Sequence, residues 1–426
     1  MSGLDHELEA LEVGPRPPPR PPAGPDRRAR GPVAVGLVVA VVLVAMTAVA
    51  RDRWRGSDAS PASVDEAARG VRSPVAGGAP GDEAAPPGWR RGDPGPIPSR
   101  DGQVVVWTGS ELLVWGGDPA GEGAPEGAAY HRDDDRWRAL TPAPFPVRTQ
   151  AVAAWTGVEM LIWGGQEPGP KATATGGAYS PLADRWRTLA PSPLAARVPL
   201  VGVWTGAELV IAGGTADGRR DASPEAAAYD PAADAWRTLP AMPVALTDAV
   251  GLWTGSEVVV VGAALDRDNA SLDPDGRPRA AAYDPVRNRW RMLPPLPLSP
   301  QAVTAVWGGD RVVAWDYELH AVALVPSTGP HARWYGLPDL PLGIADCSPK
   351  GAGGRGPGVR GVPGEFTVFA EHCGQGAVYR PSTGDWTRLP HPRQLDAQPV
   401  WTGDELLFWV GRFVGSADGL WRFRPP

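Results

Sequence analysis

Four arginines return at one place in a repeating pattern, and arginine is a residue that recognises anions. Arg100, Arg148 and Arg197 each stand seven residues before a tryptophan (Trp107, Trp155 and Trp204), and Arg393 stands eight before Trp401. A guanidinium offers paired donors in a planar fork that fits a carboxylate or a sulfated or uronic sugar. These four are the candidate ligand-binding residues. A second set has metal-ligating types: Tyr317, Glu318 and His320 end one apolar run, and His372 and Cys373 occupy the matching place one repeat later. Five of the seven tyrosines, however, take packing positions in the repeat, and Cys373 has Cys347, the only other cysteine, as a disulfide partner. No metal, no cofactor and no catalytic set is expected. Asp266, Asp268, Asp273 and Asp275 crowd one loop without EF-hand spacing and read as a solvated acidic loop. GAGGRG at 351–356 has no strand-turn-helix around it and is followed by Pro357, which argues against a dinucleotide site. Neither G-x-S-x-G nor H-E-x-x-H occurs.

The elements that must position these residues repeat about every 50 residues from residue 100 onward. An apolar run closes on Trp-Thr-Gly, an acidic residue opens a second run, glycines end it, and a loop leads to Ala-Ala-Tyr, a turn, and Trp-Arg-x-Leu-x-Pro. Such short β-branched and aromatic runs, punctuated by Gly and Pro, predict four antiparallel strands A to D per unit. Tyrosine and tryptophan fall seven apart in Tyr130/Trp137, Tyr179/Trp186, Tyr229/Trp236, Tyr283/Trp290 and Tyr379/Trp386, a spacing that puts large aromatics on adjacent strands as wedge filler. The last unit, from Trp401 to GLWRFRPP, stops before its fourth strand, while PPGWRRGDPGPIPSR at 86–100 aligns with the D segment at 134–148. Trp89 is therefore expected to complete the final sheet beside Phe423, closing a ring and removing free sheet edges. Counting D segments at Trp89, Trp137, Trp186, Trp236, Trp290, Trp334 and Trp386 gives an expectation of seven blades.

The double glycines Gly116-Gly117, Gly164-Gly165 and Gly213-Gly214, each after a hydrophobic strand and followed by the Tyr and Trp, give residues 86–426 a pattern that resembles kelch-repeat β-propellers, of which the galactose oxidase central domain is one type. The resemblance implies an all-β, seven-bladed kelch-type propeller whose D-to-A connections and B-to-C loops share a working face. In that family an arginine at the place of Arg100, Arg148, Arg197 and Arg393 often bonds loop carbonyls, a structural alternative to ligand contact. Blades of this type host oxidases, sugar isomerases and pure binding modules alike. The B-to-C loops at 118–127, 166–177, 215–225 and 263–279 vary most in sequence, as binding loops on a rigid frame do.

The formal charge of −7, without a Lys/Arg block, argues against a nucleic-acid partner. Residues 1–31 read as a disordered Pro/Arg-rich cytoplasmic tail, residues 32–50 as one transmembrane helix acting as a signal anchor, and residues 51–85 as a disordered linker. The uncharged run at 33–50 would span roughly 27 Å as a helix, and Ala48-Val49-Ala50 leaves a cleaved signal peptide as the rival reading. Either way the domain is expected outside the cell membrane, where Cys347 and Cys373 can pair. The function expected is that of a tethered binding or scaffold module for a glycan, peptide or envelope protein; the alternative is a carbohydrate-active enzyme, either a galactose-oxidase-like copper oxidase or a sugar isomerase.

Overall fold

The computed structural model describes residues 87–424 apart from positions 99, 101, 119–125, 170, 217–221, 264–272, 301–302, 317–319, 327–331, 339–357, 363–364, 371–374, 381–382, 391–396 and 411–418. The expected tail, membrane helix and linker lie outside the described residues, as do Arg393, Cys347 and Cys373 and with them the disulfide. Among the described residues there is no helix long and apolar enough to cross a membrane.

The chain folds as an all-β propeller. Six four-stranded antiparallel sheets follow one another in sequence. The first comprises Gln103–Trp107, Glu111–Gly116, Gly127–His131 and Arg136–Ala139; the second Val152–Trp155, Met160–Trp163, Gly176–Ser180 and Arg185–Thr188; the third Val201–Trp204, Leu209–Ala212, Ala226–Asp230 and Ala235–Leu239. The fourth contains Asp248–Trp253, Val258–Ala263, Arg279–Asp284 and Arg289–Met292; the fifth Thr304–Trp307, Val312–Trp315, Ala321–Leu324 and Tyr335–Gly336; the sixth Gly358–Val362, Glu365–Ala370, Gln375–Arg380 and Asp385–Pro390. A further four-stranded sheet is composite: Ala397–Trp401, Leu406–Val410 and Gly419–Phe423 are completed by Trp89–Arg91, in the register Trp89↔Phe423. The expectation of seven like blades thus resolves into six formed from consecutive strands and one sheet drawn from both ends of the propeller. The A strands of successive sheets are neighbours, and those of the composite and first sheets adjoin as well.

Local chemistry explains the strand ends. In each Thr-Gly-x-Glu turn the threonine hydroxyl accepts the glutamate N–H, at 2.8 Å for Thr108 and Glu111, while the glycine takes a positive φ, +105° at Gly109. The C-to-D turns put Asp135, Asp184, Asp234 and Asn288 at φ of 44–51°, the left-handed region that short polar side chains tolerate. The double glycine marks a close approach: Gly165 has φ +92°, and a Cβ there would stand 2.5 Å from the Thr149 carbonyl oxygen. The core lies between sheets. One aromatic wedge holds Tyr179 and Trp186, ring centroids 5.0 Å apart, with Trp115 and Phe145 beside them.

Candidate functional site

Arg100, Arg148 and Arg197 lie at equivalent places just ahead of the innermost strands, and each is buried, 3%, 1% and 4% exposed. Their guanidiniums meet both ends of the B-to-C loop of the sheet each serves. Arg100 Nη1 donates to the carbonyls of Gly116 and Glu126, at 3.3 and 3.2 Å. Arg148 Nη1 donates to those of Gly164 and Thr175, at 3.4 and 2.9 Å. Arg197 Nη1 reaches the Gly213 carbonyl, and its Nη2 pairs with the Glu225 carboxylate. Each arginine therefore staples a loop whose sequence differs from the next. Burial pulls the guanidiniums of Arg100 and Arg148 below the ordinary arginine value, with Glu126 and Glu167 respectively offsetting part of the cost. Arg148 also lies over the Phe145 ring at 4.8 Å, and its buried Nη2 has no acceptor among the described residues.

The loops held in this way form the sequence-variable rim of one face. That of the second sheet folds into a small hairpin of its own, Gln166–Glu167 against Lys171–Ala172, and Thr149 bridges to Gln166 beside it. In the fifth sheet Asp316 stands where the first three carry the first glycine of the doublet. Its carboxylate, 1% exposed, accepts the N–H groups of Ser299 and His320 at 3.0 and 3.1 Å. His320 thus belongs to a loop-capping arrangement, while Tyr317, Glu318, His372 and Cys373 lie outside the described residues. No group of three or more His, Cys, Asp or Glu side chains suited to a metal occurs among the described residues. Of the acidic loop, Asp273 forms an ion pair with Arg279 rather than facing solvent alone, its side chain 11% exposed; Asp266 and Asp268 lie outside the described residues.

The opposite face, made of the A-to-B and C-to-D turns, carries a side-chain relay whose parts the sequence displays but whose connection the sequence reading did not make. The glutamate of the Thr-Gly-x-Glu turn takes a two-pronged bond from the arginine after the D-strand tryptophan of its own sheet, Glu111 with Arg138, Glu159 with Arg187, Glu208 with Arg237 and Glu257 with Arg291; in the composite sheet Glu405 takes it from Arg422 of the third strand instead, and the D-strand Arg90 adds a single bond. In four of the five the same arginine then donates Nη1 to the tyrosine of the next sheet: Arg138 to Tyr179, Arg187 to Tyr229, Arg237 to Tyr283 and Arg422 to Tyr130. Each tyrosine hydroxyl in turn donates to the left-handed Asp or Asn of its own turn, Asp184, Asp234, Asn288 or Asp135. Burial pushes the Tyr179 and Tyr229 phenols up to about 12. Their hydrogen bonds hold Asp184 and Asp234 below the usual carboxylate range.

A recurring signal would have found this relay: an acid fixed in Thr-Gly-x-Glu and an arginine fixed after tryptophan, 27 to 34 residues apart in the first four sheets. Compared with known proteins, the chain matches no protein-family model and no curated protein sequence.

Proposed function

We propose that the protein is a kelch-type propeller, tethered to the cell membrane by its N-terminal segment, that binds a glycan, peptide or envelope protein through its B-to-C loops. The observation that carries this reading is the stapling of divergent loops by identical buried arginines, Arg100, Arg148 and Arg197. Constant struts beneath variable loops are what a display surface needs: the frame fixes where the loops leave, and their sequence is left free to match a ligand. The arginines act in this reading mainly as positioning residues.

The test is loop exchange in the full chain. Replacing residues 118–125 or 215–224 with a Gly/Ser segment of equal length is expected to abolish binding on glycan and peptide arrays while shifting Tm by only a few degrees. Turnover of a free sugar by the purified protein, or stoichiometric copper bound to it, would overturn the binding reading in favour of an enzyme.

A further inference from the structure

The closing strand fixes the face on which the N-terminal chain reaches the propeller. Trp89–Arg91 runs antiparallel to Gly419–Phe423 with Trp89 beside Phe423, so its first residue lies where Gly419–Phe423 ends. Phe423 also stands beside Leu406, just after the Thr402–Glu405 turn, and the Arg424 N–H donates to the Gly88 carbonyl at 3.0 Å. Chain arriving at Pro87 and Gly88 therefore comes in on the face of the A-to-B and C-to-D turns, opposite the B-to-C loops. Residues 51–86 separate this point from the uncharged run read above as a membrane anchor. At full extension these 36 residues reach about 120–130 Å.

That same face carries most of the apolar side chains that the fold leaves in solvent. Of the six large hydrophobic residues exposed among the described residues, four lie in its turns: Val158 at 71%, Leu182 at 99%, Val286 at 90% and Val325 at 49%. They belong to the second, fourth and fifth sheets, and the third, between them, has exposed Ala207 and Ala232 at the places of Val158 and Leu182. The first sheet has Ser110 and Asp133 there, and the composite sheet has Asp404 in place of Val158. Asp133 shows that the turn accepts a carboxylate, so the fold itself does not call for a leucine. The polar groups beside the tips are already satisfied: Asp184 and Asp234 accept from Tyr179 and Tyr229, and Asp284 pairs with Arg287. Leu182 has area to bury but almost no protein around it to form a selective pocket. Apolar tips spread over consecutive sheets at one end of a ring suit a laterally uniform apolar phase. The tether lies at that end, and by holding the propeller near its membrane it lets a weak surface affinity suffice.

We propose that the turn face of the second to fifth sheets docks on the surface of the lipid bilayer that holds the N-terminal segment, with Val158, Leu182, Val286 and Val325 entering the headgroup region. The inference rests on the anchor reading given under the proposed function and adds an orientation to it: the B-to-C loops then point away from the bilayer, toward a ligand.

The experiment places the photo-crosslinker p-benzoylphenylalanine at Leu182, Asp134 or Lys171 of the full chain in nanodiscs of phosphatidylethanolamine and phosphatidylglycerol, and reads lipid adducts by mass spectrometry. Leu182 is expected to give at least threefold more adduct than Asp134, whose sheet adjoins the tethered one, and at least tenfold more than Lys171 on the loop face. Val158→Asp combined with Val286→Asp is expected to lower the yield at Leu182 at least threefold at unchanged Tm. Equal yields at Leu182 and Asp134 would assign the contact to the tether alone, and adducts joining two copies of the chain would assign the tips to self-association. Either result, or an undiminished yield in the folded double variant, would overturn the proposal; should that variant fail to fold, the comparison of positions decides alone. Sedimentation with vesicles after an alkaline carbonate wash reads the anchor separately. If the chain washes off, anchor and docking fall together; if it stays without the adduct at Leu182, docking alone falls.

Discussion

Asp234 does two things at once: it holds the left-handed position of a tight turn, and it accepts the Tyr229 hydroxyl and the Ala190 N–H of the preceding sheet. Those bonds depress its pKa from 3.8, so its charge contributes stability that is present above that value and lost as pH falls through the lower folded value. Asn288 shows that an amide fills the same position. Asp234→Asn is therefore expected to fold normally and to melt slightly below the parent at pH 7, with the two Tm curves converging as pH is lowered from 5 to 2. A thermal melt series in pH steps checks this. Gly165→Ala carries a different expectation: about 1–2 kcal/mol for the left-handed backbone alone, plus the clash with the Thr149 carbonyl, read by chemical denaturation. At this scale the sequence told position better than role. The seven-residue spacing located Arg100, Arg148 and Arg197, but both an outward fork and an inward staple satisfy that spacing. Only the burial and the carbonyls around each guanidinium decide between them.

Between elements, the strands of each sheet are tied by the same Glu–Arg bonds in different settings, and the setting sets the energy. Glu405 and Arg422 are nearly buried, with side chains 1% and 8% exposed, whereas Glu111 and Arg138 are 16% and 37% exposed. Removing Arg422 strands a buried carboxylate that, among the described residues, only the exposed Arg90 also reaches with a charge. Arg422→Met is expected to cost about 3 kcal/mol, and Arg138→Met less than about 1 kcal/mol, measured side by side by urea denaturation. A result of equal cost would mean that solvent screening does not govern these pairs. Strand order and turn type were legible here because period-two apolar runs and Gly-bearing turns are local. The Arg-to-Tyr step across the sheets was not, since its partners stand 41 to 46 residues apart in three of the four cases and 292 in the other.

In the whole molecule, the first described strand and the last one hold each other. Trp89 packs on Phe423 and Phe408 with centroids 4.7 and 4.9 Å apart, and the segment after it is gripped by the first sheet, where Trp137 Nε1 donates to the Asp93 carbonyl at 2.8 Å. Trp89→Ala is expected to cost about 3–5 kcal/mol and to broaden the calorimetric transition, because the sheets on either side of the seam lose their shared wall. This arrangement was legible from a single gapless match between two segments, since a missing outer strand at one end and a spare at the other have one economical solution in a ring. The order of the sheets and the shared loop face followed from it. The place of Leu324 in the tyrosine's register did not, because the meaning of that departure depends on a neighbour in the preceding sheet.

Because Trp89 leaves the ribosome before every other strand of the propeller and its partner around Phe423 after all of them, the ring cannot close until that last strand has been made. Until then the early sheets wait with an exposed rim, and any fragment lacking Gly419–Phe423 carries an unmatched tryptophan strand able to pair with another copy. The seam thus acts as a check on the propeller's completeness: only a polypeptide that carries both strands can hide its own sticky end.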